Sequence, residues 1–524
     1  MTKHKKKKSR CITENESNEL KDSISLQSDY DASFLLEEED IEIHTYLKTY
    51  SHANTKNFVS TTQASVICAI LFFMIFSIIL MPHIVIPIFF VASSILHIFL
   101  TITKCQLFSW RTYNLDSKNQ YIEQIFKNHK QDTNMFSKDL PLYSILLPVF
   151  MEEKLVLKQL LNSIYNIDYP ANNMQVLLIC ETVDKSTINH IRNLESNLNY
   201  EIIIVPDFSP RTKAKACNYA LQFVKGEYVV IFDADDIPAP DQLRIALKKF
   251  EDNKDSNLAC VQAKLNYYNA NENLLTQLFS LEYAILFDKI LPALSAHNYP
   301  LPLGGTSNHF KTKILKELHG WDIYNLTEDA EIGMRLAING YKTDVIDSYT
   351  AEESPVTVLA WIKQRARWLK GFIQTYLLYL QKAHNLTNQI GFKKSFKSLH
   401  FMLGLSTLGM LITPIMFGLG SVVIYNGISI SSNVIMLAIV SGTTWVISNI
   451  YQATKIMKSS IFLKDLSKYQ KIVTTIAFSP YYVLHTVSAL YAVFDLIRRP
   501  FYWSRTKHGI GKKKIPIRKL LSMD

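Results

Sequence analysis

Apolar positions along this chain gather into blocks. From Ala64 to Met81 almost every residue is hydrophobic, Pro82-His83 interrupts, and a second run follows from Ile84 to Ile102. Further blocks cover 399–424, 433–451 and 471–497. About 20 apolar residues cross a hydrocarbon core of roughly 30 Å as a helix. The first two runs therefore predict a transmembrane helical hairpin over 58–104, turned at the proline. The next two are joined by the uncharged loop Tyr425–Asn433 and open a C-terminal membrane region over 396–500. The last block fits less simply. Lys455, Lys458, Lys464 and Lys468 precede it and Arg498-Arg499 follow, so the positive-inside rule wants both flanks on the cytoplasmic side. Its length does not allow two crossings. Either it lies partly in the interface, broken at Pro480, or the C-terminus departs from the rule.

Between the blocks the pattern changes. Short β-branched or apolar runs at Tyr143–Leu147, Gln175–Cys180, Glu201–Val205, Tyr228–Phe232 and Leu258–Gln262 alternate with helical stretches. Continuous rather than alternating apolar strands predict a mainly parallel sheet covered on both faces. The expected unit is a doubly wound α/β domain over 141–385, with its ligand at the carboxyl ends of the strands. After Trp368, residues Phe372, Tyr376, Leu377, Tyr379 and Leu380 form an amphipathic stretch suited to a membrane surface. Residues 1–57 lack apolar periodicity and read as a disordered tail, basic at Lys5-Lys6-Lys7-Lys8 and acidic at Glu37-Glu38-Glu39-Asp40. Residues 501–524 read as a basic cytoplasmic tail.

Composition narrows the partners. The net charge of +10 over 524 residues lies largely beside apolar blocks. Membrane topology explains such flanks, and no nucleic-acid partner is expected. Six cysteines form no CxxC pair and are expected reduced and mostly buried. No secretory signal is expected, because the first apolar run begins near Ala64 and lacks a small-residue cleavage site.

The candidate chemistry begins at Asp233-Ala234-Asp235, directly after the run Tyr228–Phe232. Two carboxylates two positions apart can share Mg²⁺ or Mn²⁺ with a diphosphate, since these hard ions take oxygen ligands. Thr327-Glu328-Asp329 opens a helical run. Thr327 is positioned to cap it, and a carboxylate there can take a proton as general base. In Gln364-Arg365-Ala366-Arg367-Trp368, helical spacing puts Gln364, Arg367 and Trp368 on one face. Arginine grips phosphate bidentately, and an indole offers a plate for a sugar.

The order PVFMEE, DAD, TED and QRARW resembles the processive family 2 glycosyltransferases, which include cellulose, hyaluronan and chitin synthases. The resemblance is close over 141–385 and extends to the membrane segments in arrangement. It implies a GT-A (Rossmann-like) α/β catalytic domain with α-helical transmembrane segments. By matching position, Pro148, Glu152, Asp184, Lys213, Lys215 and Asp233 would bind the nucleotide donor, and Asp233 and Asp235 the metal. Asp329, with Glu328, would be catalytic. Gln364, Arg367 and Trp368 would hold diphosphate and acceptor, with Gly305, Thr306 and Ser307 shaping the acceptor pocket. Two departures are visible. Met151 stands where the family carries a polar residue. Leu303–Phe310 replaces the aromatic-cysteine-glycine-serine acceptor motif of cellulose synthases. His309 within it reads as a structural histidine, and the short tail argues against a cyclic-dinucleotide-sensing barrel.

The expectation is an inverting, UDP-sugar-dependent transferase in the cell's inner membrane, multi-pass, with its catalytic domain cytoplasmic. It would add a hexose or N-acetylhexosamine to a growing polysaccharide. One alternative is a glycolipid synthase acting on a lipid such as diacylglycerol, and a remote one is a non-catalytic scaffold. No partner subunit for secretion can be named.

Overall fold

The computed structural model describes residues 55–110, 140–252, 257–387, 389 and 391–502. Apart from residues 55–57 and 501–502, the two expected tails lie outside the described residues. The first helix, α1 (Thr61–Leu80), is capped by Ser60, whose hydroxyl accepts the Gln63 N–H. It stops one residue before α2 (Pro82–Ser109), where Pro82 supplies the fixed φ that a first helical turn needs. The hairpin therefore turns at the predicted proline.

The α/β domain follows. Its sheet contains β1 (Tyr143–Val149), β2 (Met174–Glu181), β3 (Glu201–Val205), β4 (Tyr228–Ile231), β5 (Ile237–Pro238), β6 (Leu258–Tyr267), β7 (Asn308–Lys311) and β8 (Lys342–Glu352). Their order is β3-β2-β1-β4-β7-β6-β8-β5. The first four strands pair in parallel, with Tyr143 opposite Met174 on one side and Tyr228 on the other. The short β7 enters antiparallel between β4 and β6. The sheet is thus mixed rather than mainly parallel beyond β4. Alternate residues feed opposite cores. Tyr143, Ile145 and Leu147 pack with Val176 and Leu178, while Leu146 joins Leu177 and Ile179 on the other face. Burial on both faces is why these strands read as unbroken apolar runs.

The helices that cover the sheet or extend from it are α3 (Lys154–Tyr165), α4 (Lys185–Arg192), α5 (Lys213–Ala220), α6 (Gln242–Asp252), α7 (Leu274–Ile285), α8 (Glu328–Ile338) and α9 (Val358–Leu386). Then come α10 (Phe392–Leu399), α11 (Ser406–Asn426), α12 (Ser432–Ser459) and α13 (Lys468–Arg498). Among the described residues, five helical stretches are long and apolar enough to cross a membrane: Thr55–Leu80, Pro82–Ser109, Phe392–Asn426, Ser432–Ser459 and Lys468–Arg498.

The contacts of α13 set it apart from the other four. It runs unbroken through Pro480, so the expected break is absent. Near its start, Thr474 donates to Gln277 of α7 at 2.7 Å. Farther along, Trp361 of α9 packs on Tyr481 and His485 at 5.1 and 5.0 Å between ring centroids. Ala366 and Leu369 meet Ala489 and Ala492, and Lys370 is buried against Asp495 at 2.5 Å. Just past its end, the Pro500 carbonyl accepts from Gln374 at 3.0 Å, and Phe501 packs on Tyr324. The helix accordingly lies along α9, with both ends held by the α/β domain. Its neighbours run differently. On α2, Leu100, His97 and Phe90 meet Gly409, Thr413 and Gly420 of α11 in turn, so those helices are antiparallel.

Candidate active site

The carboxyl ends of β1 and β4 and the start of α8 converge on one cavity of about 1310 Å³. Pro148 and Glu152 follow β1, and Asp233 and Asp235 follow β4. The main chain turns tightly there, because Asp236 Oδ2 accepts the Asp233 N–H at 2.6 Å and also takes the Thr306 hydroxyl. This buried carboxylate ties the acidic turn to the Gly304–Ser307 loop. Burial, then Asp233 and Asp235, push it well above the usual carboxylate range. Asp235 Oδ2 accepts the Glu353 N–H at 3.0 Å, which fixes that side chain against the end of β8.

Lys213 opens α5 under the Thr212 cap, ion-pairs with Asp233 and donates to the Gly305 carbonyl at 2.7 Å. Burial opposes its charge, but the surrounding groups, Asp233 first, hold the ammonium well above its ordinary range. A Cβ on Gly305 would stand 3.3 Å from Asp329 Oδ2, so that loop lies directly over the acid. Asp329 Oδ1 accepts the Ala330 N–H at 2.7 Å. Burial and the adjoining Glu328 push its carboxyl up to about 7, against the pull of that N–H, Lys213 and Arg367. Such a value suits a group that must take a proton near neutral pH. Thr327 stands at the N-cap of α8, but its side chain makes no cap bond. Asn325 Oδ1 takes the Thr327 N–H at 2.9 Å, which corrects the capping role expected of Thr327.

Gln364, Arg367 and Trp368 all line the cavity from α9. The intervening Arg365, unassigned from sequence, is equally ordered. Its guanidinium bonds Glu282 at 2.9 Å and lies 5.1, 5.1 and 4.8 Å from the rings of Phe279, Trp361 and Trp368. Despite burial, Arg365 and then His485 hold Glu282 down at about 2.

Twelve of the fifteen sequence candidates therefore meet in one cavity: Pro148, Glu152, Lys213, Asp233, Asp235, Gly305, Thr306, Glu328, Asp329, Gln364, Arg367 and Trp368. Three lie outside its lining. Asp184 is buried, accepting the Thr187 N–H at 3.1 Å and the Met151 N–H, so it orders backbone. Lys215 is fully buried against Glu181 at 2.7 Å and the Phe208 carbonyl at 3.1 Å. Ser307 shares its hydroxyl with Thr350 at 2.6 Å. His309 is structural, as expected. It bonds Tyr143 at 2.7 Å and Gln242 at 3.2 Å, and burial pushes it down to about 3. Glu181, Arg211, Glu352 and Glu353 also line the cavity and were missed. The last pair was findable, because Glu352 ends β8 and Glu353 follows it, much as Asp233 and Asp235 follow β4.

The metal question turns on the donor set. Among the described residues, no cluster of three or more His, Cys, Asp or Glu is arranged to hold a metal alone. The acids at β4 fit a hard ion that keeps part of its shell for substrate phosphates, the mode typical of Mg²⁺. Asp236 Oδ1, buried and without a hydrogen-bond partner, adds a further oxygen beside them.

This mixed sheet, with paired acids after β4 and a third acid opening α8, is a GT-A-like fold carried with long apolar helices. Residues 141–371 match the family described as glycosyltransferase like family 2, which supports a glycosyltransferase domain of that family over this part of the chain. A probable glycosyltransferase, YdaM, of Bacillus subtilis is 25% identical over 253 residues, covering 48% of this chain and 59% of that protein. The beta-monoglucosyldiacylglycerol synthase of Trichormus variabilis is 29% identical over 271 residues, 50% of this chain and 55% of that one. The chain thus spans little more than half the length of these relatives. A solved mannosyltransferase from Pyrobaculum calidifontis, in complex with GDP-Man and Mn²⁺, aligns with a TM-score of 0.48 and 18% identity, over 77% of this chain and 99% of that one.

Proposed function

We propose that the protein is a membrane-embedded, inverting glycosyltransferase that moves a hexose or N-acetylhexosamine from a UDP-sugar to the hydroxyl of a membrane lipid. One observation carries the lipid over a polymer. The cavity holding Asp233, Asp235 and Asp329 continues between α2, α11 and α12, where Phe90, Leu100, Met410, Met416, Phe417 and Val446 line it. Beside these apolar walls stands Gly442, where an added Cβ would meet nothing within 4 Å, which leaves room for an acyl chain. The name of the Trichormus relative, a glycolipid synthase, supports the same choice. The lining by Gln364, Arg367 and Trp368 favours the second reading, a growing polysaccharide.

In the proposed reaction Asp329 accepts the proton of the acceptor hydroxyl. The freed oxygen attacks the anomeric carbon, forming the new C–O bond. The bond to the diphosphate oxygen breaks with its electron pair, UDP departs, and the anomeric configuration inverts. Lys213 and Arg367 hold the charge that gathers on the diphosphate, and preorganised cations need no rearrangement as it develops. Asp233 and Asp235 would hold Mg²⁺ or Mn²⁺, which supplies further neutralisation of that leaving group. Gly305 and Thr306 bound the acceptor side of Asp329.

In this reading four helices cross the inner membrane and α13 lies in the interface, so both of its basic flanks stay with the cytoplasmic catalytic domain. The deciding experiment incubates the purified full chain with radiolabelled UDP-sugars, membrane lipids and Mg²⁺ or Mn²⁺. Label that partitions into organic solvent and runs as a small glycolipid is expected. Label retained in water as high-molecular-weight chains would replace the lipid by a polysaccharide.

A further inference from the structure

Between the carboxylates and the membrane groove, the cavity passes a polar neck that the transfer step does not use. Lys104 lies on α2, a helix otherwise apolar enough to span a bilayer. Its ammonium donates to Tyr482 Oη at 2.7 Å and stands 5.1 and 5.9 Å from the ring centroids of Tyr482 and Phe478. These partners are neutral, and among the described residues no carboxylate forms an ion pair with it. A lysine near a helix end can extend along lipid to reach water, but this one lines the cavity. Charged groups within membrane helices are costly and usually face a ligand path.

Across the neck, α13 presents Ser479 and His485, which are 6% and 1% exposed and line the same cavity. Ser479 Oγ and Nδ1 of His485 lack a hydrogen-bond partner. His485 Nε2 faces Glu282 at 3.4 Å, a carboxylate that also takes Arg365 at 2.9 Å and the Tyr481 hydroxyl at 2.7 Å. Buried polar atoms are normally satisfied, so Ser479 Oγ and His485 Nδ1, left open on one cavity wall, point to a ligand. The charges agree: Glu282 and Arg365 cancel, and Lys104 leaves the neck net positive.

The geometry points to a phosphate site at this neck, in which Lys104, Ser479, Tyr482 and His485 receive the phosphate of a lipid whose chains lie in the groove. This rests on the lipid-acceptor reading, and it narrows the acceptor to one with an anionic head, or places a phospholipid beside the acceptor.

The test measures binding of phosphatidic acid and of diacylglycerol with the same acyl chains to the full chain in neutral detergent. Phosphatidic acid is expected to bind at least ~10-fold tighter, a difference of about 1.4 kcal/mol. Lys104→Gln should abolish the preference and Lys104→Arg should keep it. Ser479→Ala retains the charge and should weaken phosphatidic acid several-fold, which keeps the test decisive if Lys104→Gln does not fold. Equal binding of the two lipids, or a preference that survives Lys104→Gln, overturns the site. Phosphatidic acid lacks a free glycerol hydroxyl, so it separates the two sources of phosphate. Competitive inhibition of transfer to phosphatidylglycerol assigns the phosphate to the acceptor, whereas activation of transfer to diacylglycerol assigns it to a neighbouring phospholipid. Lys104-dependent binding of phosphatidic acid with no sugar transfer to any lipid would keep the site and remove the lipid-acceptor reading.

Discussion

Gly371 sits three residues after Trp368, where α9 presses on the start of α8. A Cβ there would stand 2.5 Å from Thr327 Oγ1, 2.7 Å from Thr327 Cγ2 and 2.7 Å from the Thr327 backbone nitrogen. Ordinary contact begins near 3.4 Å, so Gly371→Ala requires a separation of 3.4 − 2.5 = 0.9 Å. The backbone nitrogen is among the close atoms, so trimming Thr327 cannot provide it. Instead the helix bearing Gln364, Arg367 and Trp368 must move away from the helix bearing Asp329. Overpacking of this kind costs typically ~1–3 kcal/mol, and a misplacement of about 1 Å can cost on the order of 100-fold in rate. The variant should therefore insert in membranes, unfold at lower temperature and show kcat down about 100-fold. Both quantities are accessible, by thermal unfolding in detergent and by a radiolabelled transfer assay at saturating donor. Wild-type kcat in a folded Gly371→Ala enzyme would refute the packing argument and the coupling of these helices in catalysis.

Asp329→Asn should lower transfer by about 10²–10⁴-fold, the usual range for a general base, while UDP binding followed by calorimetry stays within a few-fold. The base must be ionised, and its carboxyl is raised to about 7. For the wild type, kcat/KM should therefore be full above that pH and fall about tenfold per unit below it; a flat profile from pH 5.5 to 8 would exclude Asp329. Asp235→Ala should abolish metal-stimulated transfer and weaken Mn²⁺ binding read by electron paramagnetic resonance, and chelation of the wild type should mimic it. The two lysines of α5 should part company. Lys215→Ala strands Glu181 in the interior and should destabilise the fold by about 3–5 kcal/mol. Lys213→Ala should leave the melting temperature within a few degrees but raise the KM for donor.

Much of the site was legible because its residues sit at chain positions that sequence patterns mark. Asp233 and Asp235 end an apolar strand, Asp329 opens a helix, and Gln364, Arg367 and Trp368 recur at helical spacing. What stayed hidden depends on direction within an element. Lys213 and Lys215 are two residues apart, about 200° around a helix, so they face opposite ways, and nothing in the sequence says which faces the donor. Asp184 is a similar case, because an acid after a strand can meet a ligand or cap the next helix, and here it caps α4. The antiparallel β7 was missed because it is four residues long and lies within a segment read for acceptor binding. For α13, the basic flanks call for both ends on one side, and in the structure both ends meet the α/β domain. The partner that keeps it there, α9, is a hundred residues earlier and cannot be inferred from periodicity.

In the lipid-acceptor reading, the stretch of cavity between α2, α11 and α12 also sets how the acceptor would be counted. An acceptor that enters sideways from the bilayer never passes through water. The rate should then follow the mole fraction of acceptor in the surface rather than its bulk concentration. Diluting the acceptor with inert lipid should slow transfer, whereas diluting the whole suspension with buffer should not. A UDP-sugar donor dissolved in water would obey ordinary three-dimensional kinetics, so one active site would answer to two different measures of concentration.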